Sequence, residues 1–102
     1  MELIQTAGVA EQNRLPVACG LSSYPSPAGS RTMVSYELGR TSPVSVCIHD
    51  AAGRCVEKLV DVRQTRGSHT ATWDCASSPA GVYYVILRAG SEAMTRPVVV
   101  SH

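Results

Sequence analysis

The stretch from Ala80 to Ala89, AGVYYVILRA, constrains the fold of this 102-residue chain more than any other. Val82, Tyr83, Tyr84, Val85 and Ile86 are β-branched or aromatic in unbroken succession, and Leu87 follows. Side chains of that kind crowd the preceding turn of a helix but pack well on a pleated surface. Ser77 to Gly81 leads in as a turn, so the run is too short for a helix and reads as a strand covered on both faces. Every other strand signal is weaker, which puts this one in the middle of a sheet.

The rest of the chain is punctuated at short intervals. Val17 to Tyr24 makes a first short strand, stopped by Pro25-Ser26-Pro27-Ala28-Gly29, where two prolines remove two ladder donors. Arg31 to Leu38 alternates, with Val34, Tyr36 and Leu38 on one face against Ser35 and Glu37. Gly39 to Pro43 turns, and Val44, Val46 and Ile48 then point inward against Ser45, Cys47 and His49. Asp50-Ala51-Ala52-Gly53 signals a hairpin, because the Asp carboxylate bonds backbone two residues on and Gly accepts positive φ. Arg54 to Val62 returns with Val56 inward and a bend or bulge expected in its KLVDV half. Ser68 to Trp73 sets His69, Ala71 and Trp73 against Ser68, Thr70 and Thr72, and Asp74 to Gly81 connects to the central run. Ala93 to Val100 closes the series, with Pro97 placing it at an edge.

About seven short strands without a helical period predict an all-β domain, an antiparallel β-sandwich of immunoglobulin-like kind. Residues 1–16 lack a convincing period and read as a linker or N-terminal extension, an added edge strand at most, leaving 17–102 as the folded domain. The core is expected to be aliphatic and thin, since Phe is absent and Trp73 stands alone. A net charge of +1 gives no field that would draw nucleic acid or an anionic membrane, and no apolar run is long enough for a transmembrane segment.

Catalysis finds no support in the residue pattern. His49, His69 and His102 never share a strand at i, i+2, and His69 on the Trp73 face reads as a core or sheet-surface histidine. Asp50, Asp61 and Asp74 lie beside turns, where a carboxylate caps backbone N–H groups; a calcium site shared among them is the alternative. There is no G-x-S-x-G and no phosphate-cradling loop, so no catalytic, cofactor-binding or metal-ligating residue is assigned. Cys19, Cys47, Cys55 and Cys75 fit no paired C-x-x-C pattern and allow three pairings, among which the sequence does not choose. A bridge such as Cys47 to Cys75 and small unbridged thiols are both open. Strict alternation puts Val82, Tyr84 and Ile86 opposite the core-facing Tyr83, Val85 and Leu87. An apolar stripe on an outer face is either covered by residues 1–16 or offered to a partner. Tyr83, near the start of a late strand, also suits a tyrosine corner.

Six segments in order, YPSPAG at 24–29, RTMVSYEL at 31–38, VSVCIHDAAGRCV at 44–56, GSHTATWD at 67–74, SPAGVYYVIL at 78–87 and TRPVVV at 95–100, form a known series. They resemble the C-terminal sorting domain of proteins exported by the type IX secretion system, and the similar immunoglobulin-like domain of the flagellar hook-capping protein. The resemblance covers residues 17–102 and makes Pro25, Pro27, Asp50, Gly53, Trp73 and Asp74 turn and core positions. Three departures stand out: Ser26 where Asn is usual, Cys75 where Gly is common, and Pro97 interrupting a basic pair so that only Arg96 remains.

The resemblance implies the last domain of a larger exported bacterial protein, read by the outer-membrane secretion machinery. By the same resemblance the protein is expected to pass through the periplasm and to be secreted or attached at the cell surface. Gly81, Tyr83, Arg96, Val98, Val99 and Val100 are then the expected recognition elements, with an edge strand offered for strand addition. The rival is a structural module that self-associates with neighbouring subunits in a fibre or hook cap through Val82, Tyr84 and Ile86. A carbohydrate-binding module ranks last, for want of exposed aromatics on one face.

Overall fold

A computed structural model describes residues 16–102. Its strands are β1 (Ala18–Tyr24), β2 (Arg31–Leu38), β3 (Ser42–His49), β4 (Cys55–Gln64), β5 (Gly67–Asp74), β6 (Gly81–Ala89) and β7 (Glu92–Val100). They form a three-stranded sheet in the order β1-β2-β5 and a four-stranded sheet in the order β4-β3-β6-β7. All strand pairs are antiparallel, so the expected all-β sandwich is the fold. Among the described residues no helix is long and apolar enough to cross a membrane.

Alternation in the sequence becomes the inner faces of the two layers. Val34, Tyr36 and Leu38 of β2 and Trp73 of β5 are buried, as are Val44, Val46 and Ile48 of β3 and Tyr83, Val85 and Leu87 of β6. An indole of this kind buries roughly 150–250 Å², on the order of 4–6 kcal/mol at the usual coefficient. Trp73 meets Tyr83 edge to face, with ring centroids 5.1 Å apart. The Tyr83 hydroxyl donates to the Pro79 carbonyl at 2.6 Å, which makes the tyrosine corner real.

Side-chain caps hold the turns. One carboxylate oxygen of Asp50 accepts from the N–H groups of Ala52 and Arg54, and the other faces the Arg54 guanidinium at 3.1 Å. The backbone closes the same hairpin between Asp50 and Arg54, with Gly53 at φ 89°, a region that a Cβ disfavours. At the opposite end the Glu92 carboxylate accepts from the N–H groups of Val17 and Ala18 at 2.9–3.1 Å, tying the β6–β7 turn to the start of β1.

Four expectations need correction. First, β6 pairs with β3 on one side and β7 on the other, but among the described residues only its inner face is covered, because the three-stranded sheet lies on that side alone. Second, Val56 is 46% exposed. The β3–β4 register slips twice, skipping Leu59 and Val56, so the bulges displace Val56 from the inward row. Third, the end of β7 is not a free rim. Beyond β6 it has Ala28, whose N–H donates to Val99 and whose carbonyl accepts from Ser101, and Val98 and Val100 lie in the core. Fourth, Cys75 is buried in the core while Cys47 alternates with Val46 and Ile48 onto the outer face, so a sheet separates the two and a bridge between them is excluded. The linker expected at 1–16 lies, Pro16 apart, outside the described residues.

Candidate recognition surface

Strand register turns the outer face of the four-stranded sheet into a grid. Val82 pairs with Val99, Tyr84 with Pro97 and Ile86 with Thr95 across the β6–β7 ladder. On the other side Tyr84 pairs with His49 and Ile86 with Cys47. Residues opposite one another in an antiparallel pair share a face, so Val82, Tyr84, Ile86, Pro97 and Val99 form one apolar block. Val82 is 44% exposed and Tyr84 and Val99 are each 38% exposed. The stripe expected from β6 thus extends onto β7, where Pro97 and Val99 widen it. In the sequence Pro97 marks an edge strand and an interrupted basic pair, and nothing there assigns it to an apolar surface.

The remaining expected recognition residues divide by register. Gly81 begins β6 and is exposed. Tyr83 is only 7% exposed, and its hydroxyl is engaged by Pro79, so it belongs to the core rather than to the surface. Arg96 shares the core-facing parity of Met94 and Val98, yet it is exposed, and its guanidinium donates to its neighbour's carbonyl on Thr95. A cation in that register on an edge strand opposes flat pairing with another strand. Pro25 and Pro27 are exposed in the β1–β2 connection, Trp73 is in the core, and Asp74 accepts from the N–H of Ala76.

The ionisable groups keep to local structural work. The backbone N–H of Arg54, together with its charge, holds the Asp50 carboxyl below the usual carboxylate range. The N–H groups of Val17 and Ala18 do the same for Glu92, with a smaller contribution from the charge of Arg40. Asp61 lies within β4 rather than beside a turn and faces Lys58 at 3.3 Å, while Asp50 and Asp74 cap N–H groups of their own turns, so each of the three carboxylates is engaged by its own neighbours. His69 stacks on Tyr36 at 5.6 Å and contacts the Thr65 carbonyl, the sheet histidine that its alternation indicates.

One juxtaposition escaped the sequence. Cys47, His49 and Cys55 bring two sulfurs and a ring nitrogen within 4.8 Å of one another. Cys47 and His49 are two apart on β3, and the register opposes His49 to Cys55 across the hairpin. A search for paired histidines or C-x-x-C passes over this mixed set, whereas C-x-H followed by a tight turn and a third ligand would have found it.

Two antiparallel sheets packed over a shared core, with an exposed apolar block on one outer face, make a small β-sandwich with a surface suited to being bound. The family model described as "Secretion system C-terminal sorting domain" matches residues 22–101, and the chain belongs to that family, the sorting domain of type IX secretion. It is a C-terminal secretion-sorting signal domain, of the kind that marks proteins for secretion or attachment to the cell surface and that interacts with the secretion machinery. The match gives no support to the hook-capping alternative. A search of curated proteins found no match.

Proposed function

We propose that the domain carries a linked passenger across the outer membrane and keeps it attached at the cell surface, acting by being recognised and without catalysis. The surface read by the machinery is the outer face of β6 and β7, formed by Val82, Tyr84, Ile86, Pro97 and Val99, with Gly81 at its margin and Arg96 exposed on the other side of the same edge strand. The observation that carries this reading is the contiguous exposure or partial exposure of those apolar side chains on a strand pair whose inner row holds Tyr83, Val85, Leu87, Val98 and Val100 in the core. Docking on the face is favoured over strand addition at the rim. Pro97 lacks an N–H, Arg96 opposes flat pairing, and the end of β7 is already bridged to Ala28.

The test is to fuse residues 17–102 to a periplasmic reporter in a host that has the type IX machinery. The reporter should reach the outer surface, where added protease degrades it. Tyr84→Asp with Val99→Asp should block that while leaving the melting temperature within a few degrees of the parent. A reporter that stays in the periplasm, or that is exported equally well by the double variant, defeats the proposal; release wholly into the medium defeats its attachment half. The same apolar block supports a second reading, self-association as a structural module. A concentration-dependent dimer in sedimentation, abolished by Tyr84→Asp, would favour it.

A further inference from the structure

We infer that Cys47, His49 and Cys55 form a Zn²⁺ site on the outer face of the four-stranded sheet, made of two thiolates and one imidazole with a fourth position open to solvent. Their ligand atoms already lie within 4.8 Å of one another. A tetrahedral zinc with Zn–S of about 2.3 Å and Zn–N of about 2.0 Å sets ligand atoms roughly 3.5–3.8 Å apart. Closing the remaining gap takes rotation of side chains that are partly or fully exposed and needs no movement of the core.

The scaffold fixes the three donors. The Asp50 cap and the Asp50–Arg54 backbone bonds lock the hairpin that opposes His49 to Cys55. The two register slips lie beside Cys47 and His49, the kind of local irregularity that re-aims side chains. His49 Nδ1 lies 3.0 Å from the Gly53 carbonyl oxygen, so the ring donates there and carries its lone pair on Nε2. A ligand histidine whose second nitrogen donates to a backbone carbonyl is the usual outer-shell arrangement of a zinc site.

The donor chemistry chooses the metal. The cluster holds two sulfurs and an imidazole and no carboxylate, a set that suits a thiophilic d¹⁰ cation and not calcium or magnesium. Both cysteines bind as thiolates, because coordinated thiols deprotonate. Loading replaces two S–H bonds by two Zn–S bonds; two protons leave to solvent, no electron moves, and the centre is neutral overall. Tyr84 and Ile86, the β6 partners of His49 and Cys47, wall one side of the site.

The experiment uses the 102-residue chain, reduced and handled without oxygen, titrated with Zn²⁺ against a chromophoric chelator and separately with Co²⁺. One Zn²⁺ per chain is expected, with a thiolate-to-cobalt charge-transfer band and the visible bands of tetrahedral Co²⁺. Cys47→Ser and Cys55→Ser should each weaken binding by at least the roughly hundredfold that outer-shell changes alone can reach, and His49→Gln by about tenfold or more. Cys19→Ser with Cys75→Ser should leave the band and the stoichiometry unchanged. The melting temperatures of the metal-free variants, read in the same samples, separate loss of a ligand from loss of fold. Absence of a charge-transfer band in the parent, or binding that survives Cys47→Ser, overturns the assignment. So does recovery of the exported chain without metal and with a Cys47–Cys55 disulfide.

Discussion

Replacing Tyr83 by Phe isolates one hydroxyl at the junction of fold and function. The ring stays in place, along with its edge-to-face contact with Trp73 at 5.1 Å, so the substitution removes only the bond from the Tyr83 hydroxyl to Pro79 at 2.6 Å. A net intramolecular hydrogen bond is worth about 0.5–1.5 kcal/mol. Pro79 is exposed, so water replaces the lost donor and the full penalty for an orphaned carbonyl does not apply. The expected loss is therefore about 1 kcal/mol, or roughly 4–8 °C in the melting temperature of a domain this size. Tyr83→Ala should cost about 3–5 kcal/mol, because it also empties a core position. Urea titration reads both: the midpoint should fall in Tyr83→Phe with the slope unchanged. At a temperature where Tyr83→Phe is folded, a reporter fused to it should be exported like the parent. An unfolding free energy within about 0.3 kcal/mol of the parent would refute the corner. Loss of export with stability intact would refute the assignment of Tyr83 to the core and restore it as a direct contact.

Two further perturbations test the stitching of the sheets. Glu92 has its folded-state pKa lowered by the N–H groups of Val17 and Ala18, so its stabilisation is complete above the unfolded value near ~4.3 and disappears as pH falls through the folded value. Glu92→Gln should melt below the parent at pH 7 and show a shallower loss of stability on the acid side of pH ~4.3, measured by thermal denaturation across pH; parallel profiles would refute the link. Gly39→Ala places a Cβ against the Pro16 carbonyl oxygen and 3.2 Å from Cys19 Sγ, while the Gly39 N–H is fixed to Val17 at 2.8 Å. Overpacking against backbone should cost roughly 1–3 kcal/mol in a denaturant titration, and a neutral outcome would show that the start of β1 yields.

Strand positions were legible because period-2 alternation is imposed by the pleat itself, and Arg31 to Leu38 carries it without a break. The turn at Asp50 to Gly53 was legible for a similar reason: an Asx carboxylate and a positive-φ glycine state their geometry locally. What could not be read was register. Val56 keeps a strand-like neighbourhood in sequence, and only the pairing partner shows that it is skipped. The bridge between Ala28 and Val100 joins residues far apart in the chain, and no local pattern announces that the prolines at 25 and 27 bring that segment to the end of β7. The same limit hid the cluster at Cys47, since the distance between β3 and β4 side chains depends on those two slips.

The two faces of β6 carry different burdens, and this separates what can vary from what cannot. Tyr83, Val85 and Leu87 are fixed by the opposing sheet, where loss of even one methyl is felt in a close-packed interior. Val82, Tyr84 and Ile86 alternate with them but have no covering layer among the described residues, so folding does not require them to be apolar. In a thin sandwich with one indole and no phenylalanine, large side chains are scarce, and placing a tyrosine on an outer face withholds it from the core. Covering of the outer face by a partner, as proposed, would offset that cost. The same reasoning does not extend to Val98 and Val100, whose burial follows from the core alone. Substitution by charge on the outer row should therefore affect recognition before stability, and substitution on the inner row should affect stability before recognition.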